Sequence, residues 1–356
     1  MHARPPVIDA DGHYLERPED IRKYLPAPWN RRQTPLWPAD QPWDSQLFNT
    51  RGGEAQWRQL PAREQVARWV RLIEEQQLEA AILFPTGSGG VAKLQEREFA
   101  IAVARAVNDY VAHEFNGHDP RVRAVGVLPL RTPEAAAAEM RRAVRELGLP
   151  GFELLTAGLP LALGDPFYDP IWAEAEALGV PLCIHGTRSS AYEVGADRLR
   201  TFSEVHCYAF TASMLLQFTS IIFNAVPLKF PKLKLAFLET GATWLPYYLD
   251  RMDEHWEIRG ELETPWLTKK PSDVVREAAI YFSIEAEETL LPQTLAYLGD
   301  EHFVYASDVP HWDSEFPRSL QHFWERPDIP VASKEKVLLH NARRLYGLET
   351  RAPAPA

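Results

Sequence analysis

The chain has 356 residues and a formal net charge of −11, and its Lys and Arg residues form no cluster. That balance excludes nucleic acid and anionic membrane as expected partners, since both bind concentrated positive charge. No stretch approaches the roughly 20 uninterrupted apolar residues of a membrane span, and Met1 to Pro6 lacks a signal-peptide pattern, so a soluble cytoplasmic protein is expected.

Short apolar or β-branched runs alternate with longer stretches of helical period, the pattern of βα units feeding a parallel sheet. Eight runs qualify: Pro6–Ala10, Ala80–Phe84, Arg123–Leu128, Pro150–Leu154, Val180–His185, Leu233–Glu239, Ala279–Ser283 and His302–Ala306. Between the third and fourth, Thr132-Pro133-Glu134 predicts a capped helix start, with Gly148 ending the helix Pro133–Leu147. A second helix, Ile171–Leu178, stops at Gly179 just before the fifth run. Eight units without a long linker predict one closed α/β domain over residues 1–349, a (β/α)8 barrel. The segment at about 16–58 breaks the pattern. It carries Pro26, Pro28, Trp29, Pro35, Trp37, Pro38, Pro42 and Trp43, and it reads as a long irregular insertion after the first strand, packed over the barrel mouth. Residues 350–356 read as a disordered tail.

Two cysteines, Cys183 and Cys207, are too few for a disulfide framework or a Cys-based zinc site, and Cys183 reads as core. The chemistry lies at strand ends. Asp11 and His13 stand two residues apart, on one side of an extended chain, and a carboxylate with an imidazole there suits a divalent transition metal. The fifth run leads into His185 and the eighth into Asp308. Singly, each has a plainer reading: a solvated turn for Asp11 and His13, a hydrogen-bonded strand end for His185, and a turn former before Pro310 for Asp308. In a barrel all the strands point one way, so these groups converge on a single opening, and convergence favours a metal site.

The set Asp11-Gly12-His13, His185, Phe237-Leu238-Glu239-Thr240-Gly241-Ala242-Thr243-Trp244-Leu245-Pro246 and Ser307-Asp308-Val309-Pro310-His311 resembles the amidohydrolase-related family. That family includes aminocarboxymuconate-semialdehyde, γ-resorcylate and 5-carboxyvanillate decarboxylases. The resemblance implies a distorted (β/α)8 TIM barrel with one divalent metal, Zn or Mn first and Fe next, on Asp11, His13, His185 and Asp308. Two positions depart from relatives: Asp11 stands where several have a histidine, as the resorcylate-type enzymes have a carboxylate, and Glu239 stands where many have a catalytic histidine at the end of the sixth strand.

Glu239 has three open roles: general base, ligand of a second metal, or partner orienting a metal-bound imidazole. His206, at a helix start, is either structural or a mouth residue able to assist proton transfer or to share a second metal with Glu239. Arg251 and His255 lie four apart on one helical face, with Arg251 a candidate carboxylate anchor or simply a solvated charge. His311 is expected to touch substrate. The leading expectation is nonoxidative decarboxylation of a small aromatic or unsaturated carboxylic acid, with Asp308 donating the proton and Glu239 or His206 assisting. Hydrolysis by a metal-activated water and dioxygen chemistry at two irons are the alternatives. Trp256, Trp266 and Trp324 suggest a homodimer through exposed aromatics.

Overall fold

The computed structural model describes residues 4–38, 54–187 and 191–348, with backbone alone for residues 54 and 55. The strands are β1 (Val7–Tyr14), β2 (Leu78–Pro85), β3 (Val122–Ala124), β4 (Gly126–Val127), β5 (Phe152–Leu155), β6 (Leu182–His185), β7 (Leu235–Leu238), β8 (Ile280–Ile284) and β9 (Phe303–Tyr305). All pairings are parallel, in the orders β1-β2-β3 and β4-β5-β6-β7-β8-β9. The third sequence run is thus two short strands that switch partner at Val125, whose N–H bonds Leu83 while that of Gly126 bonds Gly151. At the other seam Asp308 N–H donates to Asp11 O at 2.9 Å and His13 N–H to Val309 O at 2.7 Å. These bonds tie the last strand's exit to the first strand, and the whole is a distorted (β/α)8 barrel.

Two apolar layers hold it. Ile8, Ala10, Ala80, Ile82, Phe84, Val125, Cys183, Ala236, Leu238 and Val304 fill the barrel, together with Leu345 and Tyr346 from the last helical turn. A larger layer lies between strands and helices, and includes Leu83, Leu154, Ile184, Phe237 and Phe282. Each such fully buried side chain is worth roughly 1.5–3 kcal/mol.

The helix Pro133–Leu147 ends on Gly148 at φ +70°, and Asp169–Leu178 ends on Gly179 at φ +69°, a left-handed step that glycine takes without a Cβ penalty. Thr132 precedes the first of these, but its side chain makes no capping bond. The 22-residue helix Phe202–Phe223 starts on a true capping box, Thr201 with Glu204. By length and composition it is apolar enough to cross a membrane, but half of its apolar window is buried against the rest of the chain.

Between β1 and the helix Ala62–Gln76 the chain makes short helical turns at Pro18–Ile21, Arg22–Tyr24 and Trp29–Arg31. Trp29 packs on Phe99 with the Arg32 guanidinium over both rings, and Trp37 abuts Gly87 and Gly90. Pro42, Trp43 and the tail 350–356 lie outside the described residues. Of the three tryptophans that suggested a dimer, Trp266 is exposed, whereas Trp256 and Trp324 are partly buried against the core.

Candidate metal centre

Strict alternation along β1 would turn Asp11 away from the barrel, because Ile8 and Ala10 already face inward. The register with β2 slips instead: Asp9 pairs with Ala81 and Gly12 with Leu83, three residues of β1 against two of β2. This bulge flips the parity, so Asp11 and His13 face the interior and Gly12 faces out. There Gly12 is covered by Trp69, whose ring would lie 2.4 Å from any Cβ at that position. On β6, Cys183 and His185 alternate inward without irregularity. The two remaining carboxylates arrive by backbone geometry: Glu239 at φ +63° and Asp308 at φ +56°, both in the left-handed region that non-glycine residues enter at a cost of about 1–3 kcal/mol.

The side chains converge. His13 Nε2 lies 3.5 Å from Asp11 Oδ1 and 3.1 Å from Asp308 Oδ1, and His185 Nε2 lies 3.4 Å from the same Asp11 oxygen. Asp11 is 1 % exposed, His13 0 % and His185 4 %. Both Asp11 oxygens, both His13 nitrogens and His185 Nε2 are buried without a hydrogen-bond partner. Unpaired buried polar atoms are costly. Asp11, His13 and His185 form one group of close donors, and Asp308 joins His13, Glu239 and His311 in a second that shares His13; buried carboxylates and imidazoles so grouped are the donors a divalent cation takes, so the residues fit a metal.

Surrounding bonds hold this set. His185 Nδ1 lies 2.8 Å from Gly186 O and 3.1 Å from Glu239 Oε2, which places the ring proton on Nδ1 and leaves the Nε2 lone pair facing Asp11. The buried Asp9 carboxyl accepts from Ser307 N–H at 2.9 Å and pairs with its hydroxyl at 2.5 Å, locking β1 to the Asp308 loop. Burial pushes this carboxyl up to about 7 against those hydrogen bonds. Burial would also raise the Asp308 carboxyl, but the His311 and His13 imidazoles hold it below its ordinary range. His311 Nδ1 is 2.6 Å from Asp308 Oδ1 and 3.6 Å from Glu239 Oε1, and these carboxylates hold its imidazole above its usual range despite burial.

The cavity over this centre is walled by Thr86, Gly87, Gly89, Gly90 and Lys93 after β2, by Glu153 and Leu155 of β5, and by His206, Phe210, His311 and Trp312. Glu16 secures the β2 loop, accepting from Gly87 N–H, Ser88 N–H and the Ser88 hydroxyl. His206 stands at the rim, its ring tilted 4.3 Å from that of Phe210 and edge-on to Trp312. It is a cavity residue, outside the groups of close metal donors, in which His311 joins His13, Glu239 and Asp308. On the far side of Asp308 and Glu239 a second cavity of about 330 Å³ is lined by Glu285, Glu287, Glu288 and Glu315.

Arg251 and His255 are not at the mouth. The helix Leu245–Glu263 buries Leu245, Leu249 and Met252 against the barrel, which turns residues 251 and 255 outward. Arg251 pairs there with Glu254 at 2.8 Å, and Arg251 and His255 line an exterior groove with Tyr247. The spacing argument placed them together correctly but could not say on which side of the helix the barrel lies. Among the described residues the cavity wall also carries Lys93, Glu153 and Asp313, none of them foreseen. Glu153 had a signal, a lone carboxylate inside the apolar run Phe152–Leu155. Lys93 and Glu16 had none.

The Amidohydrolase family profile matches residues 8–348, and the chain belongs to that family. It is a metal-dependent enzyme of the amidohydrolase superfamily, a carboxy-lyase or a hydrolase. Among curated relatives it is 27 % identical over 315 residues to a γ-resorcylate decarboxylase of Rhodococcus jostii, covering 82 % of this chain and 91 % of that one. It is 26 % identical over 255 residues to 2-amino-3-carboxymuconate-6-semialdehyde decarboxylase of Dictyostelium discoideum, covering 70 % and 68 %. The fold matches a dihydroxybenzoic acid decarboxylase from Polaromonas sp. JS666, solved with manganese and 2-nitroresorcinol, at TM-score 0.73 and 22 % identity over 97 % of this chain and 98 % of that one.

Proposed function

We propose that the protein removes carbon dioxide, without an oxidant, from a small aromatic or unsaturated carboxylic acid. The observation that carries this reading is the pair of donor groups that share His13, with Asp11 and His185 in one and Asp308 in the other, and with the facing atoms of Asp11, His13 and His185 unpaired at the floor of a cavity. The decarboxylase relatives support the reaction class. Asp11, His13, His185 and Asp308 would hold one divalent ion, and manganese in the Polaromonas relative favours Mn over Zn. When bound, such an ion supplies a Lewis acid that orients substrate oxygens and stabilises developing negative charge.

The chain's own groups supply the rest. Lys93 draws the substrate carboxylate into the first cavity, while Glu285, Glu287, Glu288 and Glu315 repel it from the second. His206, Phe210 and Trp312 offer flat faces to a ring. As the bond to the carboxyl carbon breaks and carbon dioxide leaves, the electron pair remains on the substrate carbon and takes up a proton. The proton held on His311 Nδ1 passes through Asp308 Oδ1, 2.6 Å away, to that carbon. Glu239, 3.6 Å behind His311, is the closer of the two expected assistants, Glu239 and His206. Two copies of the chain would associate through the outer face that exposes Trp266, Ile258 and Leu262.

Stoichiometric carbon dioxide release from hydroxybenzoates, with no solvent oxygen in the organic product, is the expected outcome. Labelled solvent oxygen in that product would instead establish a hydrolase. Two irons per chain with oxygen consumption would establish the dinuclear alternative, for which His13, Glu239, Asp308 and His311 form the second group of donors.

A further inference from the structure

We propose that Glu153 is a specificity-determining residue that reads a hydroxyl or amino substituent on the substrate; the inference rests on the decarboxylase reading and names the substrate class. Glu153 faces inward from β5 opposite Cys183, two residues before Leu155 pairs with His185, so its carboxyl lies on the wall of the cavity over the candidate metal donors. The residue is 3 % exposed, and its Oε2 has no hydrogen-bond partner. Its other oxygen stands 4.0 Å from His185 Nδ1, beyond a hydrogen bond. The loop above is shaped around it: a Cβ on Gly89 would come 2.1 Å from Oε2.

A buried carboxyl oxygen without a partner costs free energy that a ligand can relieve, provided that the ligand brings a hydrogen-bond donor. Lys93, on the same cavity wall, attracts the substrate's own carboxylate. A ring hydroxyl or amine serves well. The cavity therefore orients an aromatic acid in two ways at once, with its carboxylate toward Lys93 and a donor substituent toward Glu153.

The test is calorimetric binding of benzoate, and of benzoates bearing one hydroxyl or amino group at each ring position, to manganese-loaded wild type, Glu153→Leu and Glu153→Gln, with metal content measured on each. Wild type is expected to prefer at least one substituted benzoate about 10-fold, the worth of one well-placed hydrogen bond. Glu153→Leu should lose that preference while still binding benzoate, and Glu153→Gln, which keeps the shape, should reduce it severalfold. An unchanged preference in both variants, or no preference in wild type, overturns the role of Glu153 and leaves the decarboxylase reading standing. Metal-loaded wild type that binds no benzoate at all would overturn both.

Discussion

Glu239 stands behind His185: its Oε2 is 3.1 Å from Nδ1 of the imidazole whose Nε2 faces Asp11 at 3.4 Å. Of the three roles open to Glu239, this geometry favours orienting a metal-bound histidine, with support of His311 as a second task. Partners behind a ligating imidazole typically contribute 10–100-fold in metal affinity. Glu239→Gln is therefore expected to weaken Mn or Zn binding by about that factor in competition with a chelator. Unchanged affinity with a collapsed kcat would instead assign Glu239 to proton transfer.

Removing a donor outright should be more severe. Asp11→Ala and His185→Ala are each expected to yield protein with well under one metal per chain by elemental analysis, while retaining wild-type far-ultraviolet dichroism. Full metal occupancy in either variant would refute that residue as a ligand.

Gly12 lies between the two donors of β1 and presses on Trp69. Gly12→Ala puts a Cβ 2.4 and 2.7 Å from that ring, which cannot retreat easily because its indole N–H is bonded to His13 O at 3.1 Å. Overpacking of this kind costs about 1–3 kcal/mol. Urea denaturation should register that loss, and metal affinity should fall with it because the bulge carrying Asp11 and His13 must shift.

Asp9 offers a test by pH. Its carboxyl titrates near 7 when buried and near 3.8 as a free side chain. Below pH 4 it is protonated in both folded and unfolded states, so its contribution to stability is fully present. Between about 4 and 7 unfolding releases a proton, so rising pH favours the unfolded chain, and above 7 the full cost of burying the charge has been incurred. Asp9→Asn removes this titration. Wild-type Tm minus variant Tm, measured on protein of equal metal content, is expected to fall as pH rises from 4 to 7 and to be flat above that. A difference that rises with pH would show that Asp9 is ionised in the folded protein.

Much of the fold was legible because period and punctuation are local. The eight runs correspond to the strands, and Gly148 and Gly179 end their helices where a left-handed residue was anticipated. The division of the third run was not legible, since the switch at Val125 depends on which neighbours lie on either side. Arg251 and Lys93 make the same contrast for function. The sequence shows that Arg251 and His255 share a helical face, yet the buried stripe Leu245, Leu249 and Met252 decides that this face is the outer one.

By itself the sequence determined the βα alternation, the convergence of Asp11, His13, His185 and Asp308 once a barrel is formed, and the family to which their motifs belong. Each follows from short-range order along the chain. Only the tertiary structure decided how those groups point. A one-residue bulge between Asp9 and Gly12 turns Asp11 inward, and left-handed backbone at Glu239 and Asp308 aims two carboxylates that extended geometry would send elsewhere. Folding also set Glu153 on the cavity wall with Oε2 lacking a hydrogen-bond partner, and Glu16 beneath the β2 loop. These are products of packing between segments far apart in sequence, where the energy of closing the barrel outweighs the local preference of any one residue.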